Sequence, residues 1–266
     1  METSIVLVIV GLIAGVVLVG QDLIKAAEIR AAVKQLQTIQ AAVNTFQSKY
    51  DCLPGDCPDA SSYGLMTGYV VDYQPIANGA TGDGNGDGLI GPLVQDSGEW
   101  YTFWLELRNS QLINYPGYKP CYFTGGPPFA VESKAESAVI MPYSNPEFPM
   151  NFLRITSYDQ WCSYPPEVFG LSSAAAYGID AKIDDGYPDT DAIDPTSIFA
   201  TPNINNLVQA TGWMWFDGGS CLTCAYYFYP VKASDGTECV DDTVTPNQYN
   251  LANKNPNICS LLVALK

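Results

Sequence analysis

The first 50 residues limit the possible folds of this chain, because they contain an apolar run that continues into a second helical pattern without a proline. There is no charged residue between Thr3 and Gln21, and the stretch from Ile5 to Gly20 contains only Ile, Val, Leu, Ala and Gly. A bilayer core requires roughly 20 mostly apolar residues in a helix, so this run is just long enough to span one. The residues that follow repeat apolar side chains at steps of three or four, as one stripe along a helix: Ile29, Val33, Leu36, Ile39, Val43, Phe46 and Tyr50.

The two segments together predict a single continuous helix of about 50 residues, roughly 75 Å long. A helix of that length cannot bury its own apolar stripe. We expect its second half to pack on the rest of the chain and its first half to lie in lipid or against copies of itself. A secretory signal peptide is the alternative, and it fits poorly because the run begins with Glu2 rather than with positive charge and leads into a further helix.

The rest of the chain has a different composition. It holds all 19 prolines, all eight cysteines and 20 of the 23 glycines. Residues 1–50 carry four basic and three acidic groups, for a net charge of +1, whereas residues 51–266 carry eight basic and twenty-five acidic groups, for a net charge of -17. We therefore predict a helix over 1–51 and an acidic globular head over 52–266.

The head is predicted to be α+β, with an antiparallel sheet and long loops that disulfides hold together. Trp100, Phe103, Trp104 and Leu107 indicate a short helix that starts near Ser97. A second helix is predicted over Ser172–Ile183, and strands over Val139–Tyr143, Phe152–Thr156, Gly212–Phe216 and Ala225–Val231.

Charge and the lack of histidine exclude several functions. The net charge of -16 opposes nucleic-acid binding, which depends on Lys and Arg at the phosphates. The absence of histidine removes Ser-His-Asp and Cys-His catalysis and histidine-ligated metals. No nucleophile and base pattern is present, so we expect a protein that is not an enzyme and does not bind nucleic acid.

The N-terminal segment from Glu2 to Ile13 resembles that of mature type IV pilins and pseudopilins, in which a near-terminal glutamate precedes an apolar run with a glycine nine residues later. Glu2 and Gly11 have that spacing. Shorter strings resemble bacterial proteins of the prepilin-type cleavage/methylation group: Leu53-Pro54-Gly55-Asp56, the run from Gly82 to Gly88, Phe103-Trp104, Ile183-Asp184-Asp185-Gly186 and Cys259-Ser260-Leu261. In such a protein, this chain would begin just after the leader and the first mature residues.

The resemblance implies a structural subunit of a pilus-like extracellular filament. The subunit sits in the bacterial inner membrane before assembly, and its partners are copies of itself and the pilus or secretion assembly machinery. In that family, the glutamate neutralises the N-terminal ammonium of a neighbouring subunit, which gives Glu2 the role of setting register. Since the family's helix-breaking proline is missing, Gly11, Gly15 and Gly20 would provide any local unwinding. The alternatives are a pseudopilin of a type II secretion system, and a monomeric, membrane-anchored calcium-binding surface protein.

A calcium loop is predicted after Gly82. Oxygen ligands alternate at Asp83, Asn85 and Asp87, a glycine follows, and Leu89 offers its main-chain carbonyl. Position twelve of such a loop is Val94 rather than glutamate, so Asp96 or Glu99 would have to complete the site. Hard carboxylates favour Ca²⁺ over transition metals. A flexible turn rich in Gly, Asp and Asn is the alternative.

A second acidic group is interpreted as solvated surface, with a second ion site as the lesser alternative, because its spacing is irregular. It consists of Asp180, Asp184, Asp185, Asp189, Asp191 and Asp194.

Eight cysteines in an exported head indicate up to four disulfides. Cys52 with Cys57 and Cys239 with Cys259 are plausible pairs, and Cys121 with Cys162 and Cys221 with Cys224 are the expected choice for the rest, although sequence does not decide connectivity. A redox or zinc role for Cys221 and Cys224 stays open as a lesser alternative.

Overall fold

The computed structural model describes residues 2–66, 82–90, 99–114, 130–136, 138–145, 150–157, 171–183, 198–201, 240–241, 248–252 and 259–265. Its helices are α1 (Glu2–Tyr50), α2 (Glu99–Asn109) and α3 (Ser173–Ile183). Its strands are β1 (Val131–Glu132), β2 (Ala138–Asn145), β3 (Met150–Ser157), β4 (Ile198–Thr201), β5 (Val240–Asp241), β6 (Gln248–Tyr249) and β7 (Ser260–Ala264).

The N-terminal rod is one helix of 49 residues, which confirms the prediction of a continuous helix. It ends where the chain enters the left-handed region at Asp51, with φ of 58°. The Asp51 N–H still donates to the Gln47 carbonyl at 2.9 Å, and Pro54 follows, which cannot continue a helix. Lys49 in the last turn adds a favourable charge at the carbonyl end.

The second half of α1 packs on the head through the predicted stripe. Leu36, Ile39, Val43 and Phe46 are all at most 2% exposed. They belong to one apolar cluster that also takes in residues of α2, α3 and the sheet. The stripe therefore buries one face of α1 over about five turns, and the opposite face stays in solvent.

Within the described residues, the main sheet has five antiparallel strands in the order β1-β2-β3-β7-β4. The C-terminal strand β7 therefore lies inside the sheet, with Leu261 paired to Ile155 on one side and to Ala200 on the other. Strands β5 and β6 form a separate two-stranded ladder. The antiparallel α+β architecture and the two strands predicted around residues 139–143 and 152–156 are confirmed.

Gln35 joins α1 to the edge of this sheet. Its buried amide donates to the Glu132 carbonyl at 2.7 Å and accepts the Lys134 N–H at 2.9 Å. One helix side chain thus satisfies two main-chain groups at β1, the outermost strand among the described residues. Without Gln35, these two groups would need water or another strand as partner.

The two short helices begin close to their predicted starts. Helix α2 begins at Glu99, and Ser97 lies outside the described residues. At α3, the Ser172 hydroxyl accepts the Ala175 N–H at 3.2 Å and donates to the Glu136 carboxylate at 2.7 Å, an N-cap held by an acid from the β1–β2 turn. Gly178 of α3 lies against Ile29 of α1, where a Cβ would come within 2.7 Å of the Ile29 side chain.

The interpretation of Asp180 as solvated surface is wrong. Asp180 is 0% exposed and its carboxylate accepts the Tyr249 hydroxyl at 2.8 Å, because α3 turns this side chain towards β6 rather than towards water. The other members of that acidic group lie outside the described residues: Asp184, Asp185, Asp189, Asp191 and Asp194. The predicted strands at 212–216 and 225–231 lie outside them as well.

Two disulfide predictions meet described residues. Cys52 and Cys57 are bonded to each other, as predicted, and close a loop directly after α1. Cys259 is disulfide-bonded. The pairings that involve Cys121, Cys162, Cys221, Cys224 and Cys239 fall outside the described residues.

Candidate functional site

The first half of α1 projects with its apolar side chains uncovered. Leu7 and Val16 are each 73% exposed and Leu23 is 67% exposed. A Cβ placed on Gly11, Gly15 or Gly20 would meet nothing within 4 Å. The helix is long and apolar enough to cross a membrane, and none of its apolar window is buried.

Glu2 is the first residue of this helix. The predicted role of Glu2, like those of Gly11, Gly15 and Gly20, concerns a second copy of the chain. At the three glycines α1 is continuous α-helix.

A second candidate site surrounds the glycine loop, which we define as residues 82–90. Asn85 and Asp87 form successive turns in it: the Asp87 N–H donates to Asn85 Oδ1 and the Leu89 N–H to Asp87 Oδ1, both at 2.8 Å. The Asp83 carboxylate accepts the N–H and the hydroxyl of Ser61, at 2.6 and 2.7 Å. The loop's predicted ligand oxygens therefore accept hydrogen bonds from the protein itself.

Asp56 stands at the centre of the glycine loop. Its carboxylate accepts three main-chain N–H groups, from Gly86 at 2.6 Å, Gly88 at 2.7 Å and Asp87 at 3.2 Å. Gly84 brings the loop this close, because any Cβ there would overlap the Asp56 main chain. The short disulfide loop from Cys52 to Cys57 positions Asp56 for this contact, since Asp56 immediately precedes its second cysteine.

Helix α2 places two acids beside this pair of loops. Glu99 Oε1 accepts the Asn85 N–H at 3.2 Å, and Glu106 Oε2 accepts the Gly55 N–H at 2.9 Å. Both side chains are 0% exposed. Glu106 Oε1 has no hydrogen-bond partner among the residues that the structure describes.

Burial controls the protonation of these acids. Desolvation, which outweighs the opposing hydrogen bond from Gly55, acts together with the charges of Asp83, Asp56 and Glu99 to raise the pKa of Glu106 to about 8. Desolvation also raises the pKa of Asp56 above its ordinary value, against the hydrogen bonds that it accepts from the glycine loop. Glu106 therefore carries a proton at neutral pH.

The end of the loop is fixed to the sheet. The Ile90 N–H donates to Asn151 Oδ1 and the Asn151 amide returns a bond to the Gly88 carbonyl, both at 2.8 Å. The Ile90 carbonyl accepts the Trp100 indole N–H at 3.2 Å and the Ser144 hydroxyl at 2.8 Å. The buried Ile90 thus anchors the end of the glycine loop to the sheet.

The predicted calcium ligands are partly brought together. Asp83, Asn85, Asp87 and Leu89 share the glycine loop and Glu99 lies against it, whereas Asp96 lies outside the described residues. Within the described part of the chain, no three acidic or cysteine side chains are arranged to hold a metal ion. The candidate ligand atoms of the glycine loop are carboxylate, amide and main-chain oxygens, which are the type of ligand that Ca²⁺ prefers. Calcium binding stays a prediction.

Sequence reasoning did not assign Asp56 and Glu106 to this site. Glu99, Phe103 and Glu106 recur at steps of four and three, so both acids lie on the helix face that carries the buried Phe103. An acid on an apolar face was therefore a readable signal for Glu106. Asp56 gave no comparable signal, because its partners are main-chain groups distant in sequence.

Comparison of the chain with protein-family models, with curated proteins and with solved structures found no match.

Proposed function

We propose that this chain is a structural subunit of a type IV pilus-like extracellular filament, which assembles through α1. The observation that carries the proposal is the division of α1 into a half that is packed on the head and a half whose described apolar side chains are exposed on every face. The segment from Glu2 to Ile13 resembles that of mature pilins, which supports the same function.

The exposed half of α1 requires an apolar environment that buries it. Among the side chains that the structure describes between Ile5 and Ile24, thirteen large apolar ones are at least half exposed. At about 1.5 kcal/mol or more for each, burying them is favourable by on the order of 20 kcal/mol. An energy of this size excludes a water-exposed helix as the working state, so lipid or other copies of α1 must surround it.

Both environments, lipid and other copies of α1, occur in the proposed function. Before assembly, α1 lies in the bacterial inner membrane; afterwards, it lies in the filament core, delivered there by pilus or secretion assembly machinery. Head-to-tail contacts that do not close generate a helical fibre. Glu2 sets the register by pairing with the terminal ammonium of a neighbouring copy, since an unpaired charge in an apolar core is heavily penalised.

The acidic head remains on the fibre surface in this proposal. The glycine loop binds calcium there, which lowers the like charge where heads crowd, and the disulfides hold the loops. A secretion pseudopilin has the same subunit plan and differs in forming a short periplasmic fibre.

The test is to shear cells that express the chain and to image the supernatant by electron microscopy. We expect long fibres that contain this chain, and far fewer or none with Glu2→Ala. Glu132→Gln, which neutralises an exposed acid on the head, is the matched control and should leave fibres unchanged. Short periplasmic fibres would favour the pseudopilin, and normal fibres with Glu2→Ala would contradict the role of Glu2.

A further inference from the structure

The glycine loop contains an Asn-Gly dipeptide, Asn85–Gly86, and both residues are exposed. Asparagine followed by glycine is prone to deamidation, because glycine has no Cβ to obstruct ring closure. The glycine nitrogen loses its proton and bonds to the asparagine Cγ, the bond from Cγ to the side-chain nitrogen breaks, and ammonia leaves. Water then opens the cyclic imide and gives aspartate or isoaspartate.

The Gly86 nitrogen and both polar atoms of the Asn85 side chain are hydrogen-bonded in the structure. The Gly86 N–H donates to Asp56 Oδ1 at 2.6 Å. Asn85 Oδ1 accepts the Asp87 N–H at 2.8 Å, and Asn85 Nδ2 donates to Asp87 Oδ2 at 3.1 Å. The nucleophile is thus held by one carboxylate and the electrophile by the following residue.

Asp56 opposes the first step electrostatically. Attack requires an amide anion at Gly86, and a carboxylate in hydrogen-bond contact with that nitrogen disfavours a second negative charge there. Asp56 is only 2% exposed, so solvent and salt screen this repulsion weakly.

We propose that Asn85 is a latent deamidation site and that Asp56 keeps it unreactive. Deamidation of Asn85 adds a negative charge between Asp83 and Asp87. The isoaspartate product also adds a carbon to the main chain, which breaks the alternate-residue ligand spacing of the loop. The proposal depends neither on filament assembly nor on calcium binding.

The test follows deamidation in the full-length chain in detergent micelles, at mildly alkaline pH, by peptide mapping that separates aspartate from isoaspartate. We expect Asn85 to react slowly in the native chain and rapidly in urea, where the second Asn-Gly pair, Asn78–Gly79, calibrates the digest. Asp56→Asn keeps an acceptor oxygen but removes the negative charge beside Gly86, so it should raise the native rate by about tenfold, the factor that separates a hydrogen bond to a charged acceptor from one to a neutral acceptor. Ser61→Ala is the matched control, since it removes a bond to Asp83 in the same loop and leaves Gly86 engaged.

Three results would overturn the proposal: equal rates in native and denatured wild type, an unchanged rate in folded Asp56→Asn, or an equal rise with Ser61→Ala. A second measurement needs no variant. Exchange of the Gly86 N–H with solvent also requires its deprotonation, so we expect it to be slowed at least about tenfold relative to an unfolded chain. Unprotected exchange at Gly86 would refute the role of Asp56.

Discussion

Replacing Glu106 with glutamine should stabilise the head at alkaline pH and leave it nearly unchanged at acid pH. Glu106 is fully buried, and one of its oxygens accepts the Gly55 N–H while the other has no partner among the described residues. Glutamine has the shape of the protonated acid and retains an oxygen for Gly55. The substitution therefore removes the charge that burial opposes and little else.

The magnitude follows from the pKa of Glu106, which rises from 4.5 to about 8 on folding. Between these values, the unfolded chain has released a proton that the native chain retains, so stability falls as pH rises. The slope is about 1.4 kcal/mol per pH unit, and the total approaches about 5 kcal/mol above pH 8, taken as an upper bound. Below pH 4.5 the acid is protonated in both states and contributes no pH dependence.

The assay is urea unfolding of the full chain in detergent micelles, followed by tryptophan fluorescence at pH values from 4 to 9, since the buried Trp104 lies on the same helix. The difference in free energy between Glu106→Gln and wild type should grow in favour of the variant as pH rises. Glu132→Gln should show no such trend, because Glu132 is exposed on β1. A constant difference across this range would refute the assignment of a buried, protonated Glu106.

Two further predictions concern the helix and the loop. Gln35→Ala should lower the free energy of unfolding by about 1–3 kcal/mol, because it leaves the Glu132 carbonyl and the Lys134 N–H without their partner. Gln37→Ala, on the exposed face of α1, should change it by less than about 0.5 kcal/mol, and equal effects would contradict the bridge. Calcium added back to the chelated chain should raise its melting temperature. At a calcium concentration of one hundred times Kd, binding adds about 2.7 kcal/mol to the free energy of unfolding. Asp87→Asn should weaken that response, and a wild type that does not respond to calcium would remove the site.

The elements that could be predicted from the sequence are those with a strong local period. Helix α1 has an apolar run, a stripe and no proline until Pro54, and it forms as expected. Strands β2 and β3 and the helix around Phe103 carry similar local signals. The position of β7 inside the sheet could not be read in this way, because strand order depends on pairing between distant segments.

The site was harder to predict because its contacts are long-range. The alternate-residue spacing from Asp83 to Leu89 was enough to predict that these residues share one loop. The placement of Asp56 within the loop depends on main-chain N–H groups some thirty residues away, which carry no side-chain signal. Asp180 shows the converse error, since an acid in an acidic stretch is buried by the tertiary contact with Tyr249.

Filament assembly through α1 can be tested directly by a cryo-electron microscopy density of the fibres sheared from cells. We expect α1 segments bundled at the axis, with residues 4–24 of neighbouring copies in contact, Glu2 beside a neighbour's terminus and the heads outside. A chain that remains wholly in the membrane fraction, with no fibre containing it, would contradict the proposed function.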